Sequence, residues 1–148
     1  MENDHYAFIL VADQKYWNRL RQPTQPTKQI RFFVRKNQVA LTQTKKLLFY
    51  VKKPHIQILG TADFTERIVG DTQELWSKYG AESFFESQNE YSAFAQGNKK
   101  MTFIHFGNFE ELADPKPKET VAGALGSLVW FRPRYVSRET AELLTGKV

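Results

Sequence analysis

Apolar and polar positions alternate along most of this chain in short runs, and the run that organises the rest spans residues 45–71, KKLLFYVKKPHIQILGTADFTERIVGD. Leu47, Phe49 and Val51 alternate there with Leu48, Tyr50 and Lys52, and nearly every position is apolar. That pattern predicts a central strand covered on both faces. Beyond a Lys-Lys-Pro-His corner, Ile56, Ile58 and Ala62 alternate with Gln57 and Leu59 up to Gly60. A glycine inside a strand pattern marks a bulge or a close backbone approach, where a sheet can bend and begin to close.

Further strands are expected over residues 6–12, YAFILVA, over 29–36, QIRFFVRK, and over 99–109, KKMTFIHFGNF, whose two faces both look covered. A last strand is expected from Leu128, within VAGALGSLVWF, after a polar loop EELADPKPKET. Asn37 and Gln38 fit a turn into residues 39–42, and Pro23 and Pro26 hold QPTQPTK extended. Short helices sit between the strands. Asp13 is placed to cap QKYWNRLRQ, in which Tyr16 and Leu20 share a buried face beside Trp17. Asp71 or Thr72 caps TQELWSKYG, with Glu74 at the capping-box position and Gly80 closing the helix. Ser87 and Glu90 repeat that spacing before NEYSAFAQG, and Ser137 caps a final helix packed through Ala141 and Leu144. Short strands broken by short capped helices, without regular strand-helix alternation, predict an α+β fold: one domain over 1–148, a mixed, partly closed β-barrel with peripheral short helices near Gln14, Gln73, Gln88 and Arg138.

With 148 residues, 41% of them hydrophobic, the chain is long enough for one real core. It has no cysteine, which removes disulfides, thiolate catalysis and Cys-based zinc sites. His5, His55 and His105 are isolated, without metal-ligand spacing, so no metal site and no cofactor are expected. No apolar run approaches the roughly 20 residues that cross a bilayer, and the start is acidic rather than signal-like; a cytoplasmic home and no membrane partner follow. The net charge of +5 is unevenly spread: through Gly60 there are eleven Lys and Arg against three Asp and Glu, from Thr61 to Thr120 six against eleven, and thereafter four against two. Basic ends around an acidic middle favour a face that attracts polyanions.

Candidate chemistry follows the basic ends. The strand 29–36 sets Arg31, Phe33 and Arg35 against Ile30, Phe32 and Val34, so arginine forks and an aromatic share one face, followed by Lys36. Such a face offers phosphate forks and a stacking surface together, with Phe33 packing under a loop, and the arginines pairing with the acidic middle, as the other reading. Lys52 and Lys53 form the basic corner, and Arg132 and Arg134 flank Pro133 among Trp130, Phe131 and Tyr135. For general acid-base work the placement on offer is Asp63 and Glu66, just after the Gly60 bend, although carboxylates there also suit ion pairs.

Taken together, YAFILVA, KLLFYVKKPHIQILGTADF, ELWSKYG, KMTFIHFGNF and VAGALGSLVWF resemble an archaeal family of the PUA-like superfamily, to which the ASCH and EVE domains are related. The resemblance implies a barrel-like domain that binds RNA or a modified base in a groove beside the barrel. TQTKK stands where similar families often carry a Gly-Asp turn, and the Gly, Lys, Glu and Arg arrangement of ASCH domains is missing. The leading expectation is therefore a nucleic-acid-binding module, with RNA as partner, that uses Arg31, Phe33, Arg35, Lys36, Lys52, Lys53, Trp130, Arg132 and Arg134. The alternatives are a hydrolase acting on a modified nucleoside through Asp63 and Glu66, and a protein-interaction domain whose partner meets the acidic middle.

Overall fold

The computed structural model describes residues 5–23, 27–36, 43–52, 57–125 and 133–146. Six strands form one mixed sheet in the order β2-β5-β4-β3-β1-β6: β1 Ala7–Ala12, β2 Phe32–Arg35, β3 Lys46–Val51, β4 Gln57–Asp71, β5 Lys100–Glu111 and β6 Arg134–Val136. β1 and β3 are parallel, and the other neighbouring pairs are antiparallel. The helices among the described residues are α1 Gln14–Arg21, α2 Thr72–Tyr79, α3 Gln88–Ala95, α4 Lys118–Leu125 and α5 Arg138–Thr145, with a 3-10 turn at Gly80–Glu82.

β3 lies between β1 and β4, and its unbroken apolar run is explained by cover on both sides. On one face Leu47, Phe49 and Val51 join Phe8 and Leu10 of β1 under α1, α2 and α3; on the other, Leu48 and Tyr50 join Ala7 and Ile9 under α4 and α5. The bend at Gly60 is present. Phe49 pairs with Gly60 while Tyr50 pairs with Ile58, so Leu59 is an extra residue in β4, and its carbonyl accepts instead from the Leu112 amide at 2.9 Å.

Four sequence expectations change. Among the described residues the ladder does not close into a barrel: β2 and β6, of four and three residues, are the two ends of the sheet order, with no rungs between them. β2 nevertheless comes within reach of β1, with the Arg35 guanidinium 5.4 Å from the Phe8 ring. Residues 118–125, read as loop and apolar run, are the helix α4: the Pro117 carbonyl accepts from the Thr120 and Val121 amides, and Val121 is wholly buried. Asp13 makes no capping bond, because its carboxylate is taken up by Lys52 at 3.2 Å; Asp71, Ser87 and Ser137 do cap their helices as expected. Finally, Phe32, Phe33, Val34 and Arg35 are all buried, so β2 has no open face. The turn and strand at 37–42, the Lys53 to Ile56 corner and the strand from Leu128 lie outside the described residues.

Candidate functional site

A cleft of about 330 Å³ lies where the C-terminal ends of β1 and β2 approach each other. Val11, Ala12 and Asp13 line it from β1 and the start of α1; Phe33, Arg35 and Lys36 line it from β2. Tyr16, Phe84 and Phe94 form an aromatic wall, with Lys52 and Pro133 also at the lining. The wall is fixed from outside. Arg19 donates to Glu90 at 2.7 Å and to the Phe84 carbonyl at 3.1 Å and meets Glu86 at 2.9 Å, while Lys28 donates to the Phe85 carbonyl at 2.7 Å. These bonds hold residues 84–90 against α1, and Tyr16 stacks on Phe84 with ring centres 4.3 Å apart.

Burial would push the Glu90 carboxyl up, but the Arg19 hydrogen bond, with the Glu86 amide, outweighs it and holds the group below the usual range near 4.5. A carboxyl depressed in the folded state adds stability above its unfolded value, and that contribution is lost as pH falls through the folded value. Glu90→Gln is therefore expected to cost about 1 to 2 kcal/mol at pH 7. In urea melts the gap from the unsubstituted protein should shrink as pH falls below 4.5; a gap independent of pH would contradict this assignment.

Arg35 is the unusual group. Its side chain is buried, with the residue only 8% exposed, and it neither donates a hydrogen bond nor pairs with a carboxylate among the described residues. Burial, and secondarily the like charge of Arg67, press the guanidinium below its ordinary range. Directly across the ladder, Thr102 is 1% exposed and its hydroxyl also lacks a partner. Contact with the Phe8 ring returns about 0.5 to 2 kcal/mol, against a desolvation cost that the remaining solvent contact of the guanidinium nitrogens keeps below that of a fully buried ion. The cation is under-compensated, and the cleft is where compensation can arrive.

The other cations differ. Lys36 is exposed, donates to Gln96 at 3.0 Å and lies 5.3 Å from the Phe94 ring, with no carboxylate bound among the described residues. Lys52 is shared with Asp13. Arg31 faces away, pairing with Glu82 at 3.4 Å beside a second cleft of about 330 Å³ that also meets His105 and Asn108. Arg134 donates to the Leu125 carbonyl at 2.7 Å, at the end of α4. The first cleft thus gathers Phe33, Arg35, Lys36 and Lys52 and leaves Arg31 and Arg134 apart; Lys53, Trp130 and Arg132 lie outside the described residues. Phe33 meets Phe84 edge-on at 5.3 Å, so it belongs to the core under the cleft rather than to an open stacking face. Tyr16, Phe84 and Phe94 carried no sequence signal beyond core spacing.

The carboxylates after the bend, Asp63 and Glu66, line neither of these two clefts. Asp63 accepts from Asn108 at 2.7 Å and from Lys46, and these bonds hold its carboxyl below the usual range, the Asn108 bond contributing most. It is an ion-pair partner. Glu66 is exposed and stands across the ladder from His105. No helix among the described residues is long and apolar enough to cross a membrane.

The family model that matches the chain is described as a domain of unknown function, DUF365, and it covers residues 13–128. No curated protein matches in sequence. Among solved structures, the ASCH protein from Zymomonas mobilis is similar over 97% of this chain and 96% of its own, with a TM-score of 0.79 at 17% identity. An alanine-for-serine mutant of that protein aligns over 99% of this chain and 98% of its own, with a TM-score of 0.79 at 16% identity. At such identities the likeness is one of fold. It is an ASCH-like α+β fold, and the α+β class is the one the sequence led one to expect.

Proposed function

The chain belongs to the DUF365 family, and from that premise we propose that it is a nucleic-acid-binding module that takes RNA, at an unpaired nucleotide, into the cleft between β1 and β2. The observation that carries this reading is Arg35, a cation at the cleft whose residue is 8% exposed and which has no carboxylate partner among the described residues. Lys36 supplies a second charge without a carboxylate partner among the described residues, and Phe94 beside it is the half-buried ring a base can reach. The ASCH-like fold is in keeping with such a role. In the complex, Lys36 and Lys52 neutralise phosphates, releasing counterions, and the aromatic wall excludes water from the seated nucleotide.

Affinity for a mixed-sequence single-stranded RNA is accordingly expected to fall with salt, with a slope in log affinity against log salt near −0.7 for each phosphate neutralised. Lys36→Ala should weaken binding several-fold and flatten the slope by roughly one phosphate's worth. Lys52→Ala should do less, because Asp13 already shares that charge. A salt series by fluorescence anisotropy checks both. A flat response, or no binding at low salt, removes the proposal.

A further inference from the structure

From the burial of Arg35 and the size of the cleft we infer that the site takes a terminal phosphomonoester, that of a nucleic-acid end or of a free mononucleotide, rather than an internal phosphodiester. The inference deepens the reading above and rests on it for the nucleotide attached to the phosphate.

Access is the first argument. An internal phosphodiester continues into chain on both sides, so a residue that grips it must stand where a strand can enter and leave. A guanidinium in a residue 8% exposed is reached by a group that ends there. About 330 Å³ sits at the low end of the range for small-ligand pockets, roughly 300 to 1,000 Å³, and leaves room for little more than one nucleotide. Charge is the second. An internal phosphodiester carries one negative charge, whereas a phosphomonoester carries about −1.5 to −2 at neutral pH, its second pKa being near 6. Arg35 is repelled by Arg67 and shares its cleft with Lys36, so the more highly charged anion relieves more repulsion. The carboxylate at this lining, Asp13, is already paired with Lys52 at 3.2 Å and opposes the anion less than a free acid would. Hydrogen bonding is the third: the planar Arg35 guanidinium, at the cleft lining, can grip two phosphate oxygens at once.

The test measures one single-stranded RNA sequence carrying a 5′-phosphate, a 3′-phosphate or hydroxyls at both ends, with a nucleoside monophosphate as competitor. It uses the full chain and its Arg35→Met and Arg35→Lys variants. At least one phosphorylated end should bind ten-fold or more tighter than the hydroxyl form. The ratio should collapse to near one in Arg35→Met, survive in part in Arg35→Lys, and decline below about pH 6 as the monoester takes up its second proton. Because each ratio is internal to one protein, a change in folding does not mimic it. Displacement by the mononucleotide at comparable affinity identifies a free nucleotide as the source, and its failure to displace identifies a nucleic-acid end; either supports the inference. Equal affinity for all three ends, with salt-sensitive binding retained, overturns the terminal-phosphate site and leaves RNA binding standing. Tight binding of the mononucleotide without any RNA binding does the reverse. A phosphate preference that persists in Arg35→Met overturns the assignment to Arg35.

Discussion

Arg35→Met is expected to stabilise the fold while abolishing the preference for a phosphorylated end at the cleft. Methionine preserves most of the buried stem and deletes a cation, over the Phe8 ring, that the described residues leave without a hydrogen bond or an anion. Replacing buried charged groups with apolar side chains of similar volume commonly gains about 1 to 4 kcal/mol, and the lost ring contact returns part of that. A net gain of about 1 to 2 kcal/mol raises the melting temperature by roughly 3 to 6 °C for a chain of this size. Scanning calorimetry without ligand reads the gain. A lower melting temperature would show that Arg35 is a structural cation and that its burial has no bearing on ligands.

Gly60→Ala should be severely destabilising. A Cβ built there would lie 2.5 Å from Trp17 Cη2 and 2.9 Å from its Cζ3, with the Glu110 carbonyl oxygen at 3.0 Å. Trp17 is 2% exposed and packs among Phe49 and Phe109, so the ring cannot swing clear, and the carbonyl belongs to the β5 ladder. Overpacking of this kind costs about 3 kcal/mol, or about 10 °C in melting temperature. Placing the change in a Trp17→Leu background tests the cause: the added cost of Gly60→Ala should fall sharply there, although Trp17→Leu alone weakens the core. Additive effects would mean that backbone strain, and not the indole, penalises the methyl.

The same residues show how far the sequence could be read. A glycine breaking an otherwise alternating strand pointed to the bulge and close approach at Gly60, because few other local reasons put glycine there. The apolar run of β3 marked the central strand for an equally local reason, and the Asp71, Ser87 and Ser137 caps were legible from spacing. Asp13 was not: its spacing suits a cap, but a lysine distant in sequence competes for the carboxylate. The basic ends and acidic middle were visible as counts, yet their meaning depends on pairing. Arg19 with Glu86 and Glu90, Arg31 with Glu82, Arg21 with Glu111 and Lys46 with Asp63 match basic residues of the first third to acids of the middle, so much of the segregation is internal complement. Among the described residues Arg35, Lys36 and Lys45 are left without a carboxylate and Lys28 meets only a carbonyl, and only the fold shows that Arg35 and Lys36 share a cleft. Alternation along 29–36 likewise put Arg31 and Arg35 on one face, but the cleft forms at the end of β2 that meets β1 and takes only Arg35. The helix α4 was hidden because a proline-rich approach followed by small residues fits a loop as well as a first helical turn.

Titrating isotope-labelled protein with a short single-stranded RNA, and following backbone amide and arginine side-chain resonances, tests most directly whether this cleft is where nucleic acid binds. Shifts should cluster on residues 11–16, 33–36, 52 and 84–94, with the Arg35 side chain among the largest. Shifts centred on Arg31, His105 and Asn108, or none in the β1–β2 cleft at saturating RNA, would contradict it.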